Sequence, residues 1–245
     1  MKRVKLVVAY DGTAYHGWQL QPGAPTIEGE LNKALSELLR EEIQVIGASR
    51  TDSGVHALCN VAVFDTDARI PAEKISYALN QRLPEDIRIQ ESTEVPADFH
   101  PRRCSSKKTY EYRILNTPFP LPTRRLYAHY TYVPLDVDRM RKAAEYLVGE
   151  HDFKEFSSVK KTNKSTVRTV SRIDFEVKDR EIDFIFEGDG FLYNMVRIMA
   201  GTLIEVGTGD REPEDVKEVF RTKNREKAGM TLPPQGLFLD EVFYE

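Results

Sequence analysis

Short apolar runs and amphipathic stretches alternate along this chain. Residues 5–10 (KLVVAY) have the length and continuity of a buried strand, closed by the turn pair Asp11-Gly12. Between residues 26 and 39, Ile27, Leu31, Ala34, Leu35, Leu38 and Leu39 fall at the 3, 4 spacing of a helix, with Thr26 placed to cap it. Residues 43–48 and 61–64 predict strands, with a loop at 48–57 between them. Residues 71–83 predict a helix with Pro near its start, and 87–95 a further strand, giving the order β-α-β-β-α-β. The second half repeats that order less clearly. A strand at 109–115 is followed by a helix at 136–148, with Met140, Ala143, Ala144, Leu147 and Val148 on one side. Strands at 167–177 and 182–186 form a hairpin, a long apolar helix covers 191–206, and a last strand covers 237–244. The pattern predicts an α+β fold of two split β-α-β domains (ferredoxin- or RRM-like) with antiparallel sheets, spanning 1–104 and 105–245.

Composition narrows the class. A chain of 245 residues with 40% hydrophobic and 30% charged residues fits soluble globular domains. No apolar run approaches the roughly 20 residues needed to cross a bilayer, and the run at 6–10 is too short for a secretory signal. A cytoplasmic protein is expected. Cys59 and Cys104 are the only cysteines, and no C-x-x-C pair occurs, so neither a metal site nor a disulfide framework is expected.

The net charge of −4 argues against a nucleic-acid partner, but the charge is uneven. Residues 100–113 (HPRRCSSKKTYEYR) hold five Lys/Arg against one Glu. Residues 154–172 (KEFSSVKKTNKSTVRTVSR) hold six against one. Two such runs, rich in Ser/Thr and carrying Tyr or Phe, suit contact with an anionic polymer better than two solvated loops do.

Asp52-Ser53-Gly54, in ASRTDSGVHA (residues 48–57), invites a protease reading. A proton-sharing carboxylate pair needs a site free of positive charge, and Arg50 and His56 flank this Asp. No G-x-S-x-G or other nucleophile context supports a Ser-His-Asp triad. The plain alternative is an Asx-turn in which Asp52 caps its own loop and Gly54 supplies a positive φ. That leaves Arg50, Thr51 and His56 unexplained.

Residues 191–206 (FLYNMVRIMAGTLIEV) add a second constraint, since they carry charge only at Arg197 and Glu205. Leu192, Met195, Val196, Met199 and Leu203 form a wide apolar face around Arg197, and the neighbouring turns offer no carboxylate. A buried guanidinium without a partner costs roughly several kcal/mol, so Arg197 either snorkels to water or finds a carboxylate elsewhere. A loop Asp from the other half would serve. Such a carboxylate is ionised at neutral pH, which suits a nucleophile.

Five stretches together resemble the tRNA pseudouridine synthase A family. They are YDGTAYHGWQ (10–19), SRTDSGVHA (49–57), KTYEY (108–112), FLYNMVRIMAG (191–201) and PPQGL (233–237). Ser49 stands where that family usually has Gly. The resemblance implies isomerisation of uridine to pseudouridine at positions 38–40 of the tRNA anticodon stem-loop, without cofactor or metal, by a cytoplasmic homodimer with a basic, RNA-binding cleft. It implies that Asp52 is the catalytic carboxylate, acting on base, on sugar or through the C2′ proton. Tyr110 would stack on the flipped uracil, Arg50 would hold the phosphate backbone, and Leu192 and Arg197 would line the substrate site. Tyr110 follows Lys107-Lys108 with only Thr109 between, which argues against a core position, whereas His56 reads as loop support. The stretch at 10–19 reads as structural or RNA-facing, with no catalytic residue. The rival reading is a non-catalytic RNA-binding protein, but no RRM signature (K/R-G-F/Y-G/A-F-V-x-F/Y) occurs.

Overall fold

A computed structural model describes residues 1–160 and 163–244. Lys161 and Thr162, inside the second basic run, lie outside the described residues. The chain divides into two compact units, one of Met1–Ser106 with Phe238–Glu245 and one of Lys107–Leu237.

In the first unit β1 (Lys2–Tyr10) buries alternate residues, Val4, Leu6, Val8 and Tyr10, as a strand with one covered face should. Helix α1 (Ile27–Leu39) buries Ile27, Leu31, Ala34, Leu35 and Leu39 of the apolar positions that its periodicity marks, with Leu38 half-buried, and the Thr26 hydroxyl accepts from the Gly29 amide as its cap. Two residues form β2 (Ile46–Gly47), followed by β3 (His56–Thr66), α2 (Ala72–Leu79) and β4 (Ile87–Val95). The strands order β4-β1-β3-β10, with β2 also on β3. The β1–β4, β1–β3 and β2–β3 pairs are antiparallel. The last strand, β10 (Leu237–Tyr244), pairs parallel with β3 through Phe238↔His56 and Leu239↔Ala57.

The second unit holds β5 (Ser106–Asn116), β6 (His129–Thr131), α3 (Val137–Glu145), β7 (Gly149–Asp152), β8 (Val167–Lys178) and β9 (Glu181–Gly188). Helices α4 (Met195–Gly207) and α5 (Asp215–Thr222) complete it. Strand order is β5-β9-β8-β7, with β6 parallel on β5 and the other pairs antiparallel. Almost every residue of α4 is buried.

Four expectations change. Parallel pairs make the sheets mixed rather than antiparallel. The last strand clusters with the first unit, because its ladder partner is β3. The strand expected at 43–48 shrinks to two residues: the Ile43 and Val45 amides donate to the Ser36 hydroxyl and Asn32 side-chain carbonyl instead of to a ladder. The helix expected from 191 starts at Met195, because Asn194 sits in the left-handed region at φ 61°.

Candidate active site

The loop carrying Asp52 is built against residues 10–19. Thr51 is its buried anchor: its hydroxyl and that of Tyr10 are hydrogen-bonded at 2.7 Å, and its carbonyl accepts from the Trp18 amide at 3.0 Å. Asn60 of β3 clamps the loop's entry, donating to the Ser49 carbonyl and accepting from the Ser49 amide. The turn itself closes through the backbone, with the Val55 amide donating to the Asp52 carbonyl at 3.1 Å. Gly54 supplies the positive φ (76°), and its amide donates to the Tyr15 carbonyl, which also accepts from the Ser53 hydroxyl. An Asx-turn at Asp52 would take the Gly54 amide, two residues on, and that amide is bound to the Tyr15 carbonyl instead.

Two glycines of residues 10–19 are there because the Asp52 loop comes so close. A Cβ on Gly17 (φ 84°) would lie 2.5 Å from the Thr51 carbonyl oxygen, and one on Gly12 would lie 2.0 Å from that of Val55. Trp18 fills the space over Gly47, where a Cβ would meet its indole at 2.4 Å. The motif left without a role in the sequence is thus the bed of the Asp52 loop. No sequence signal links the two stretches, since their contact is long-range.

His56 ends the loop as the first residue of β3 and is 1% exposed. Its ring stacks on Phe238 at 4.6 Å, and its Nδ1 lies 3.1 Å from both the Gly12 amide and a carboxylate oxygen of Asp11. One ring nitrogen either accepts from Gly12 or donates to Asp11. In either state His56 ties the loop's end to the Asp11-Gly12 turn, which makes it a support for the loop. Arg50, two residues before Asp52, is exposed, while Asp52 is half-buried.

The remaining site candidates lie in the second unit. Tyr110 of β5 is buried, 8% exposed, with its ring edge-on to Phe191 at 5.2 Å. The two preceding lysines therefore do not keep it from the core: exposure falls along β5 from Lys107 to the fully buried Tyr112. Leu192, next to Phe191, is half-buried, and its amide points at the Met195 sulfur. Arg197 is the third residue of α4 rather than its middle. Its Nε donates to the Leu232 carbonyl at 2.6 Å and its Nη1 to the Asn194 side-chain carbonyl at 2.7 Å. These neutral acceptors fix the plane of the guanidinium without cancelling its charge.

The other family-like stretches converge on that same Arg. Gly201 lets the backbone of Met230 pass α4, since a Cβ there would lie 2.0 Å from its carbonyl oxygen. The Tyr112 hydroxyl donates to the Pro233 carbonyl at 2.9 Å, and burial raises the pKa of this phenol. Gly236 packs against the Tyr112 ring, where a Cβ would sit 2.9 Å away. Leu232, held between these contacts, is the residue that orients Arg197.

Among the described residues no group of three or more His, Cys, Asp or Glu could hold a metal ion, and no helix is long and apolar enough to cross a membrane. The basic runs are partly neutralised at home. Arg113 pairs with Glu111 at 2.7 Å, and Arg172 with Asp174 at 2.7 Å, while Arg102, Arg103, Lys107, Lys154 and Lys160 are exposed.

Residues 6–102 and 143–245 match the family model described as tRNA pseudouridine synthase. The "tRNA pseudouridine synthase A" of Thermoanaerobacter sp. (strain X514) is 47% identical over 244 residues, covering all of both chains. The protein of the same name from Acetivibrio thermocellus is 46% identical, again over the whole of both. A solved structure, titled as the archaeal box H/ACA sRNP Nop10-Cbf5 complex, superposes at a TM-score of only 0.36 with 14% identity. It covers 82% of this chain, which spans 44% of that one. On the family model and the full-length relatives, the chain belongs to the tRNA pseudouridine synthase family.

Proposed function

We propose that this chain isomerises uridine to pseudouridine in the anticodon stem-loop of tRNA, with Asp52 as the nucleophilic carboxylate. The N1–C1′ bond of the uridine breaks, the base turns, C5 bonds to C1′, the C5 proton leaves and N1 gains one. Atoms and electrons balance without an external reductant, oxidant or group donor, so the reading requires no cofactor. The observation that carries it is the Asp52 loop: residues 10–19 hold it through Thr51, Gly54 and Ser53 with the turn closed by main chain, an arrangement that fixes a carboxylate in place.

A uridine inside a stem or stacked loop must be flipped out, at a cost of roughly a few kcal/mol. In this reading Tyr110 offers a ring to the flipped base, which returns about 1–3 kcal/mol, with Leu192 beside it. Arg197 would be the counter-charge that keeps the Asp52 carboxylate ionised, and its bonds to Leu232 and Asn194 support that role by orienting the guanidinium. Arg50 holds the backbone of the flipped nucleotide. Two split β-α-β domains, a basic RNA-binding cleft and a homodimer complete the proposal. The order β-α-β-β-α-β of the first unit and its β4-β1-β3 strand sequence support the first of these.

The test is incubation with a tRNA transcript carrying tritium at C5 of uracil. Isomerisation releases the label to water. Tight binding without release would establish the non-catalytic RNA-binding reading instead.

A further inference from the structure

We propose that Asn194 is a positioning residue for the reaction, its carboxamide joining Ser158 of the second basic run to the guanidinium of Arg197; the inference rests on the reading of Arg197 given above.

Among the described residues, four other than glycine have positive φ, and three of them stand where that conformation is ordinary. Arg40 and Lys223 follow the last turns of α1 and α5, and Asp179 turns the hairpin between β8 and β9. Asn194 stands instead at the start of α4, where the residue before a helix is normally extended. Thr26 before α1 and Asp136 before α3 are extended, and each side chain accepts from the amide three residues on. Asn is as good a capping residue as either, yet the Asn194 side chain makes no such bond to α4. The left-handed backbone and the missing cap both cost stability, and strain of this kind persists where surrounding contacts impose it.

The carboxamide is turned to Arg197 and Ser158. Its Oδ1 accepts from Arg197 Nη1 at 2.7 Å, and its Nδ2 donates to Ser158 Oγ at 2.9 Å. One amide can serve both because it carries an acceptor at one end and a donor at the other. Main chain keeps the pieces in register: the Ser158 amide donates to the Tyr193 carbonyl at 3.0 Å, and the Ile198 amide to the Asn194 carbonyl at 3.0 Å. Ser158 itself has a firm root. Phe153 and Phe156, just before it, are fully buried, with their rings 5.6 and 5.0 Å from that of Phe220 in α5. Ser157 is buried too, and its hydroxyl donates to the Lys154 carbonyl at 2.8 Å. Lys154 and Lys160, exposed to either side, belong to the run expected to meet the tRNA backbone. That run therefore reaches Arg197 through two side chains, and a hold on the tRNA and the aim of the guanidinium become one arrangement.

The neutrality of the amide is as important as its reach. Asn194→Gly keeps the left-handed backbone and drops both bonds. Asn194→Asp keeps both, with the Ser158 hydroxyl now donating, but its carboxylate would pair with the guanidinium and cancel the charge on which the reading of Arg197 depends. Asn fixes the plane of Arg197 and adds no charge of its own.

The test measures tritium release, tRNA affinity and Tm for wild type, Asn194→Gly, Asn194→Asp, Ser158→Ala and the double variant Asn194→Gly with Ser158→Ala. Asn194→Gly should lower kcat about tenfold or more, the effect of losing a hydrogen bond to a charged group, with affinity within about twofold. Its Tm should stay within about 4 °C of wild type, since Gly takes φ 61° without strain. Asn194→Asp should lower kcat at least as far with no loss of Tm. A residue that served only to start α4 would give the opposite result, because Asp caps a helix as well as Asn and suits its positive end. Ser158→Ala should lower kcat about threefold alone and change nothing further in the Asn194→Gly background, because it acts through that side chain. Wild-type kcat in either folded Asn194 variant, or an equal Ser158→Ala loss in both backgrounds, overturns the proposal. Should wild type release no tritium, the functional reading fails and the inference falls with it; active wild type with unaffected variants sinks the inference alone.

Discussion

Gly17→Ala separates loop positioning from simple destabilisation, because the chain supplies its own control at Gly23. Both glycines have positive φ, 84° and 73°, so Ala at either pays the left-handed penalty of about 1–2 kcal/mol. Only at Gly17 does the new methyl strike something: it would sit 2.5 Å from the Thr51 carbonyl oxygen and 3.0 Å from the Asp52 carbonyl carbon. Around Gly23 nothing lies within 4 Å. Relieving the Gly17 contact to an ordinary 3.4 Å needs a shift of about 0.9 Å in the backbone beside Asp52. A displacement near 1 Å at a reacting group costs about 10²-fold in rate. Gly17→Ala should therefore lower kcat for tritium release about a hundredfold. Gly23→Ala should lose comparable stability to φ strain, about 2–4 °C in Tm per kcal/mol for a chain of this size, and keep its kcat. Equal kcat in the two folded variants would refute the idea that residues 10–19 set the position of Asp52.

Three further outcomes follow from single residues. The Ser49 hydroxyl is buried without a hydrogen-bond partner among the described residues, so Ser49→Ala should raise stability by about 1 kcal/mol in a denaturant melt with activity retained. Tyr110→Phe should retain tRNA binding, whereas Tyr110→Leu should weaken it about 5- to 150-fold, the equivalent of the 1–3 kcal/mol that ring stacking supplies. Equal binding by both would leave Tyr110 as a packing partner of Phe191 alone. If Arg197 is the proposed counter-charge of Asp52, Arg197→Met should abolish most activity, and any residue of it should need higher pH, since a carboxylate deprived of a cation ionises less readily. An unmoved acid limb in the pH–rate profile would argue against the Asp52–Arg197 pair.

Local chemistry made part of this molecule legible from sequence. Helix α1 was readable because both its apolar spacing and its Thr26 cap are encoded within it, and β4 because its run is bounded by turns. What could not be read depends on partners far away in the chain. Ile43 and Val45 look like strand residues and are buried like them, but side chains of α1 take their amides. The start of α4 is hidden because Asn194, with an ordinary helical neighbourhood in sequence, adopts φ 61° to meet Ser158 and Arg197. Charges before Tyr110 suggested exposure, yet β5 passes from solvent to core within a few residues. Nothing in residues 237–244 says that their neighbour is β3. As site candidates, Asp52, Arg50 and Arg197 could be named from local sequence alone. That Asp11, Gly12, Tyr15 and Gly17 shape the loop could not be read there, because a glycine needed for close approach looks like any turn glycine.

Whether the Asp52 carboxylate performs the isomerisation is decided by Asp52→Asn, which keeps the side chain's size while removing its charge. Tritium release and tRNA affinity should be measured on the same preparation. The variant should show no detectable release with near-native affinity; turnover within tenfold of wild type would remove Asp52 from the catalytic role.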